Sequence, residues 1–142
     1  MAGGHSIEHE FAVAATVSSL RDAVATRDGL RGWNTSQVSG DGTVGSEWAL
    51  SYEGAPDFRW RVDRSDASGV LWTCTHGPGD SVGTTVEYIF TPMPDGRTRV
   101  SLRHGGWPHR EGNFRKCNTL WGAMLFQLDR FVESGKSAPL HG

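Results

Sequence analysis

The chain has 142 residues, of which 37% are hydrophobic and 21% charged, and its formal net charge is −2. This length and composition predict one globular domain over residues 1–142, and the small net charge gives no reason to expect nucleic acid as a partner. No apolar run reaches the roughly 20 residues that span a bilayer, the first residues lack a secretory signal, and two cysteines without ligand spacing predict neither a disulfide scaffold nor a metal site. We therefore expect a cytoplasmic protein with no cofactor.

The first part of the chain predicts one strand followed by two short helices. Apolar and polar residues alternate over 7–13, which is typical of a strand with one buried face. Thr16 is the predicted N-cap of a helix that ends near Ala25. Residues 26–29 are expected to break this helix, and a second short helical turn follows, closed by Gly32.

A series of strands is predicted from Thr43 to His104. Apolar and polar residues alternate in each of them, and turns rich in Gly, Pro and Asp recur about every ten residues, which is typical of a meandering antiparallel sheet. The predicted strands cover about 43–52, 58–63, 70–76, 82–91 and 97–104. The segment 105–108, Gly-Gly-Trp-Pro, is expected to turn the chain out of the last strand, either as a mobile gate or as a corner that needs a positive φ.

One long amphipathic helix is predicted from about Glu111 to Ser134. Its apolar residues recur every three or four positions and so form a single stripe. Gly135 is the predicted C-cap, and Pro139 lies shortly beyond it. Gly122 falls inside the helix, either because the sheet or a ligand approaches there or for no structural reason.

The order of these elements predicts an α+β fold, in which an antiparallel sheet carries helices on one face. The strand that precedes the short helices is expected to pair at a sheet edge with a later strand. A lipocalin-type barrel would lack the early helices, and a cone of the nuclear-transport-factor type would begin with its long helix, so the order disfavours both.

Several segments of the chain, in collinear order, resemble the SRPBCC superfamily, which has the START-like helix-grip fold. They are 26–33, the strand pair around WALSY and FRWRV, 99–107, and the set Trp121, Leu128, Phe131 and Gly135. Within the superfamily the chain is most similar to bacterial homologues of the activator of heat-shock-protein ATPase, often called polyketide cyclase-like. The resemblance implies a curved sheet that grips the C-terminal helix around an apolar cavity, and it leaves a homodimer open.

The predicted concave face and the helix stripe together supply the residues of a ligand pocket. The alternative is a filled core. The predicted pocket residues are Trp48, Leu50, Tyr52, Trp60, Trp72, His76, Tyr88, Phe90, Leu102, His104, Trp107, Cys117, Trp121 and Met124.

Three functions remain open from the sequence. The first is binding of a small hydrophobic or aromatic molecule. The second is an enzyme of cyclase or aromatase type, for which His104 is the candidate acid or base because it ends a strand at the entrance to the helix. No catalytic motif supports this function, and the alternative for His104 is a purely structural role. The third is a stress-related interaction role like that of the co-chaperone relatives.

Overall fold

The computed structural model describes residues 4–54 and 57–134. In chain order its elements are β1 (His5–Val13), α1 (Val17–Ala25), α2 (Arg27–Trp33), β2 (Gln37–Ser39), β3 (Glu47–Ser51), β4 (Phe58–Asp66), β5 (Gly69–His76), a 3-10 turn (Gly79–Ser81), β6 (Thr85–Pro92), β7 (Thr98–Trp107) and α3 (Asn113–Ser134). The predicted α+β class and helix-grip arrangement are confirmed.

The strands form one curved, antiparallel, seven-stranded sheet in the order β1-β7-β6-β5-β4-β3-β2. Strands β2 to β7 follow one another as a meander, since each pairs with its sequence neighbour. Strand β1 lies at the edge beside β7, with Phe11 opposite Val100. The predicted edge pairing of the first strand is thus confirmed, and it carries α1 and α2 across the sheet towards α3.

The break between the two short helices is narrower than predicted, because it consists of Thr26 alone. Thr26 is the C-cap of α1 and also the N-cap of α2. Its hydroxyl donates to the carbonyl of Asp22 at 2.5 Å and accepts from the amide of Gly29 at 3.0 Å. One side chain therefore satisfies orphan backbone groups of both helices, and the residues after it are free to be helical. The predicted closure at Gly32 is wrong: this residue lies inside α2, and Asn34 is the C-cap.

Two strands begin later than predicted, and one short strand was missed. Val44 is 62% exposed and precedes β3, because Gly45 adopts a φ of +89° in the turn before it. Val82 is 53% exposed and precedes β6, and Gly83 likewise has a φ of +89°. The missed strand, β2, has only three residues, which is too short for an alternating pattern to reveal.

The Gly-Gly-Trp-Pro segment does not end the last strand where the sequence predicted. Strand β7 continues through both glycines to Trp107, which is fully buried and pairs with His5 of β1. Gly106 takes a φ of +87°, so a positive φ is present, but inside the strand. The corner follows Trp107, and α3 begins at Asn113. The predicted C-cap, Gly135, lies outside the described residues.

Helix α3 lies against β1, α1 and α2 and buries its stripe on the core. Trp121, Leu125 and Leu128 are buried. Gly32 of α2 sits so close to α3 that a Cβ there would stand 2.3 Å from the Phe131 ring. Gly122 has no atom within 4 Å of such a Cβ and is exposed, so the hypothesis that the sheet approaches it is wrong.

Candidate functional site

A pocket of about 160 Å³ lies between the first half of α3 and the sheet, and residues of β3 to β7 line it. It is partly open to the surface beside Leu120, which is 41% exposed. Its walls are almost entirely apolar. The lining residues are Asn34, Leu50, Tyr52, Phe58, Trp60, Trp72, Val86, His104, Cys117, Leu120, Trp121 and Met124.

The helix contributes to the pocket through residues that share one face. Cys117, Leu120, Trp121 and Met124 are spaced by three or four positions and so lie above one another along α3. Asn34 reaches the pocket from the other side because it caps α2. The walls of the pocket are thus formed by elements that are far apart in the sequence.

Aromatic rings in mutual contact form the sheet side of the pocket. The rings of Phe58 and Trp60 stack with an interplanar angle of 6° and centroids 5.8 Å apart. Trp60 also contacts Trp72 at 6.3 Å and meets the His104 ring edge-on at 5.6 Å. A wall of packed, rigid rings keeps its shape and offers π faces to a ligand.

His104 holds a directed hydrogen-bond chain at the floor of the pocket. The Trp121 indole N–H donates to His104 Nδ1 at 3.0 Å. An indole can only donate, so Nδ1 is the unprotonated nitrogen and Nε2 carries the hydrogen. Nε2 therefore donates to Thr84 Oγ1 at 2.8 Å, and the Thr84 hydroxyl donates to the carbonyl of Ser81 at 2.6 Å. Every polar atom of this imidazole is committed to the fold.

The environment of His104 keeps it neutral and disfavours a role as a general base. Burial lowers its pKa to about 3, because the imidazolium would lose its hydration. The one lone pair that could take a proton already accepts the Trp121 N–H. A general base must reach a substrate proton with a free lone pair. The arrangement supports the structural alternative for His104, and the Trp121 N–H is occupied by the same hydrogen bond.

The remaining polar groups of the pocket are also held uncharged. The Tyr52 hydroxyl donates to Asn34 Oδ1 at 2.5 Å, and burial raises the pKa of Tyr52. Burial, with a further contribution from the charge of Asp80, raises the pKa of Cys117 to about 11. The thiol of Cys74 donates to the His76 carbonyl at 3.4 Å rather than to its imidazole. Burial also raises the pKa of Cys74 to about 11, so neither thiol is an activated nucleophile.

The structure divides the predicted pocket residues into three groups. Around the pocket lie Leu50, Tyr52, Trp60, Trp72, His104, Cys117, Trp121 and Met124. Buried elsewhere in the core, and not among the lining residues, are Trp48, Tyr88, Phe90, Leu102 and Trp107. His76 is exposed at the end of β5, where it is opposite Arg59 of β4 but lies beyond Thr73, the last residue of β5 that pairs with β6.

Four lining residues were not predicted, and three of them carried a usable pattern. Phe58 and Val86 alternate in register with Trp60 and Tyr88, and Leu120 belongs to the stripe of α3. Asn34 gave no signal, because its place depends on how α2 crosses the sheet. Within residues 4–54 and 57–134, no group of three or more His, Cys, Asp or Glu side chains is arranged to hold a metal ion.

The family model described as "Activator of Hsp90 ATPase homolog 1-like protein" matches residues 14–133. No curated protein matches the chain by sequence. The solution structure of the Aha1 dimer from Colwellia psychrerythraea is 28% identical, with a TM-score of 0.83, and the match covers 94% of this chain and 99% of that one.

Two further structures share the fold at lower identity. DynU16, a putative protein in the dynemicin biosynthetic locus, is 20% identical with a TM-score of 0.76 over 93% of this chain; the match spans 48% of DynU16, about half its length. CalU16 from Micromonospora echinospora is 18% identical with a TM-score of 0.77, over 98% of this chain and 70% of that one. No helix among the described residues is long and apolar enough to cross a membrane. The cytoplasmic location stays a prediction.

Proposed function

Because the chain belongs to the family of activator of Hsp90 ATPase homolog 1-like proteins, whose fold grips a helix against a curved sheet, we propose that it binds a small uncharged hydrophobic molecule between the two. The observation that carries the proposal is the apolar pocket of about 160 Å³, walled by Phe58, Trp60 and Trp72 and partly open beside Leu120. Such a pocket favours an apolar guest by the area that it removes from water.

The volume of the pocket selects the size of the guest. An engineered cavity of about 150 Å³ holds one benzene ring, whereas sites for drug-sized ligands run from about 300 Å³ upwards. The pocket therefore suits a single ring with a short substituent. A multi-ring polyketide or a long acyl chain would not fit without displacing side chains from a close-packed interior.

The experiment is a calorimetric titration with toluene, naphthalene and decanol. We expect saturable binding of toluene and at least tenfold weaker binding of the two larger molecules. Cys117→Phe, which places a ring inside the pocket, should abolish toluene binding. Thr119→Phe, on the exposed side of the same helix, should leave it unchanged. Wild-type protein that gives no saturable heat with any of the three would overturn the proposal.

The cyclase alternative gains no support from the site. The residue that the sequence favoured as its base, His104, has both ring nitrogens engaged in hydrogen bonds and a pKa of about 3. The likeness to DynU16 and CalU16 is below 25% identity and concerns the fold alone. Fold does not determine activity.

Family membership favours a second candidate function, contact with an ATPase of the Hsp90 type. The test adds the purified chain to such an ATPase and follows both ATP hydrolysis and co-sedimentation. A concentration-dependent change in the hydrolysis rate is expected for this function. No change in rate and no co-sedimentation would remove it.

A homodimer is a further part of the proposal, supported by the dimer formed by the Colwellia psychrerythraea relative. The chain has a mass of 15.5 kDa, so sedimentation velocity should show a species of about twice that mass at high protein concentration. A single species at the monomer mass over the whole concentration range would contradict it.

A further inference from the structure

Asp80 lies next to the pocket without lining it. It belongs to the 3-10 turn before β6, and its Oδ1 accepts from Asn113 Nδ2 at 3.2 Å, while the same amide donates to the Pro78 carbonyl at 3.3 Å. Asn113 opens α3, and Cys117 follows four residues later on the same face, so Asp80 stands about one helical turn from a pocket wall. The charge of Asp80 is one of the causes that raise the pKa of Cys117, as this proximity requires.

The pocket itself offers nothing to balance a charged guest. Among the lining residues listed above, all of which lie in the described part of the chain, none carries a charge at neutral pH. His104 and Trp121 direct their polar atoms at each other, and the Tyr52 hydroxyl donates to Asn34. An ion that enters such a site loses hydration that no partner replaces.

Because Asp80 is negatively charged, the pocket excludes anions more strongly than cations. Its side chain is only 26% exposed, so its field is screened less than that of an exposed group such as Lys116 on the next turn. It also sits beside the first turn of α3, where a helix N-terminus otherwise attracts anions. His109 Nε2 lies 3.3 Å from the other carboxylate oxygen of Asp80, Oδ2, and the His109 side chain is half-exposed.

We propose that Asp80 sets the charge preference of the pocket, which takes neutral single-ring molecules best, ammonium-bearing ones next, and rejects carboxylates. This inference rests on the proposed ligand binding and names its chemical class. Asp80 acts through its field rather than by contact, so it is a specificity-determining residue for binding.

The test uses three probes of matched size at pH 7, namely benzyl alcohol, benzylamine and benzoate, each titrated by calorimetry. Benzyl alcohol should bind most tightly, and benzylamine should bind about tenfold more tightly than benzoate, the effect of one partly buried charge at short range. Asp80→Asn keeps a carbonyl for Asn113 and should bring benzylamine and benzoate to within about threefold, with benzyl alcohol unchanged. Asp95→Asn makes the same change of net charge in the distant β6–β7 turn, and it should leave the wild-type ratio intact.

The outcomes separate the two proposals. If benzyl alcohol, like toluene, does not bind, the proposed function fails. If benzyl alcohol binds but the wild-type protein binds benzoate as well as benzylamine, only the role of Asp80 is overturned, and this result needs no variant. The same conclusion holds if Asp80→Asn, shown by circular dichroism to be folded, keeps the wild-type ratio, or if Asp95→Asn changes it equally.

Discussion

His104 is a buried imidazole at the floor of the pocket. Its place at the end of an alternating run made it a candidate acid or base, since an imidazole in an apolar pocket can exchange protons. In the structure, one nitrogen accepts from Trp121 and the other donates to Thr84. The same residue type therefore acts as a fixed hydrogen-bonding hub, and its neutral form is a condition of the fold.

The neutrality of His104 predicts a stability that depends on pH. Its pKa is lowered from 6.5 to about 3 on folding, so below pH 6.5 the unfolded chain binds a proton that the native chain does not. The stabilisation is complete above pH 6.5 and is lost as the pH falls towards 3. Between pH 7.5 and pH 5 this group should remove about 2 kcal/mol from the free energy of unfolding.

The measurement is urea denaturation at both pH values for three proteins. Wild type should lose about 2 kcal/mol more between pH 7.5 and 5 than His104→Gln, which has no titrating ring. His76→Gln, at an exposed histidine, should keep the wild-type loss. Equal losses in wild type and His104→Gln would show that His104 does not titrate as the burial requires.

At the scale of elements, the helices are defined by caps and by close approach as much as by their apolar stripes. The predicted start of α1 after Thr16 is confirmed, because the Thr16 hydroxyl accepts from the amide of Ser19 at 3.1 Å. The α1–α2 junction is tighter than the sequence indicated. A Cβ at Gly29 would stand 1.9 Å from the Asp22 carbonyl oxygen, so α2 can approach α1 only where no side chain intervenes.

Two Gly→Ala substitutions in helices should consequently have opposite effects. Gly122→Ala meets no atom within 4 Å and should stabilise the protein by about 0.5–1 kcal/mol, the usual difference in helix propensity. Gly29→Ala has the same propensity gain but collides with backbone, and it should destabilise by at least about 2 kcal/mol. Thermal and urea denaturation of both variants measure these shifts, and a stabilised Gly29→Ala protein would contradict the packing of α1 on α2.

At the scale of the whole molecule, β1 joins the two ends of the described chain. It pairs with β7, the last strand, and its inner face lies towards α3, where His9 Nε2 lies 3.0 Å from Asn118 Oδ1. Register is decisive here, since a slip by one residue would exchange the buried and exposed faces of the strand. Ile7 is 2% exposed, and its neighbour Glu8 faces outwards.

Adjacent substitutions in β1 test this closure. Ile7→Lys buries an unpaired charge against the core and should cost about 4 kcal/mol or more, enough to unfold a marginally stable domain. Glu8→Lys, on the outer face, should change stability by less than about 1 kcal/mol. Circular dichroism and urea denaturation distinguish the two, and similar stabilities for both variants would mean that β1 does not hold the predicted face.

Much of the fold was predictable because it depends on local patterns. Period-two alternation located β1 and β4 to β7, and the three-to-four-residue stripe located α3 to within a few residues. The starts of β3 and β6 were not predictable from alternation, since Val44 and Val82 continue the pattern into turns that Gly45 and Gly83 create. Strand β2 was too short to show any pattern.

The class of fold, the edge position of β1 and an apolar face opposite α3 could all be predicted from alternation and helical periodicity, because these patterns decide which residues turn inwards. Which of the inward residues pack against one another, and which surround a space, depends instead on how the helices and the sheet assemble. Tyr88 and Trp107 are as inward-facing as Trp60, yet they lie in the core and Trp60 lines the pocket. The difference arises from where α3 and the cap of α2 cross the sheet. The same crossing brings Trp121 into hydrogen-bonding distance of His104 and places Asp80 beside Cys117. These residues are far apart in the sequence, so no local pattern encodes their contacts.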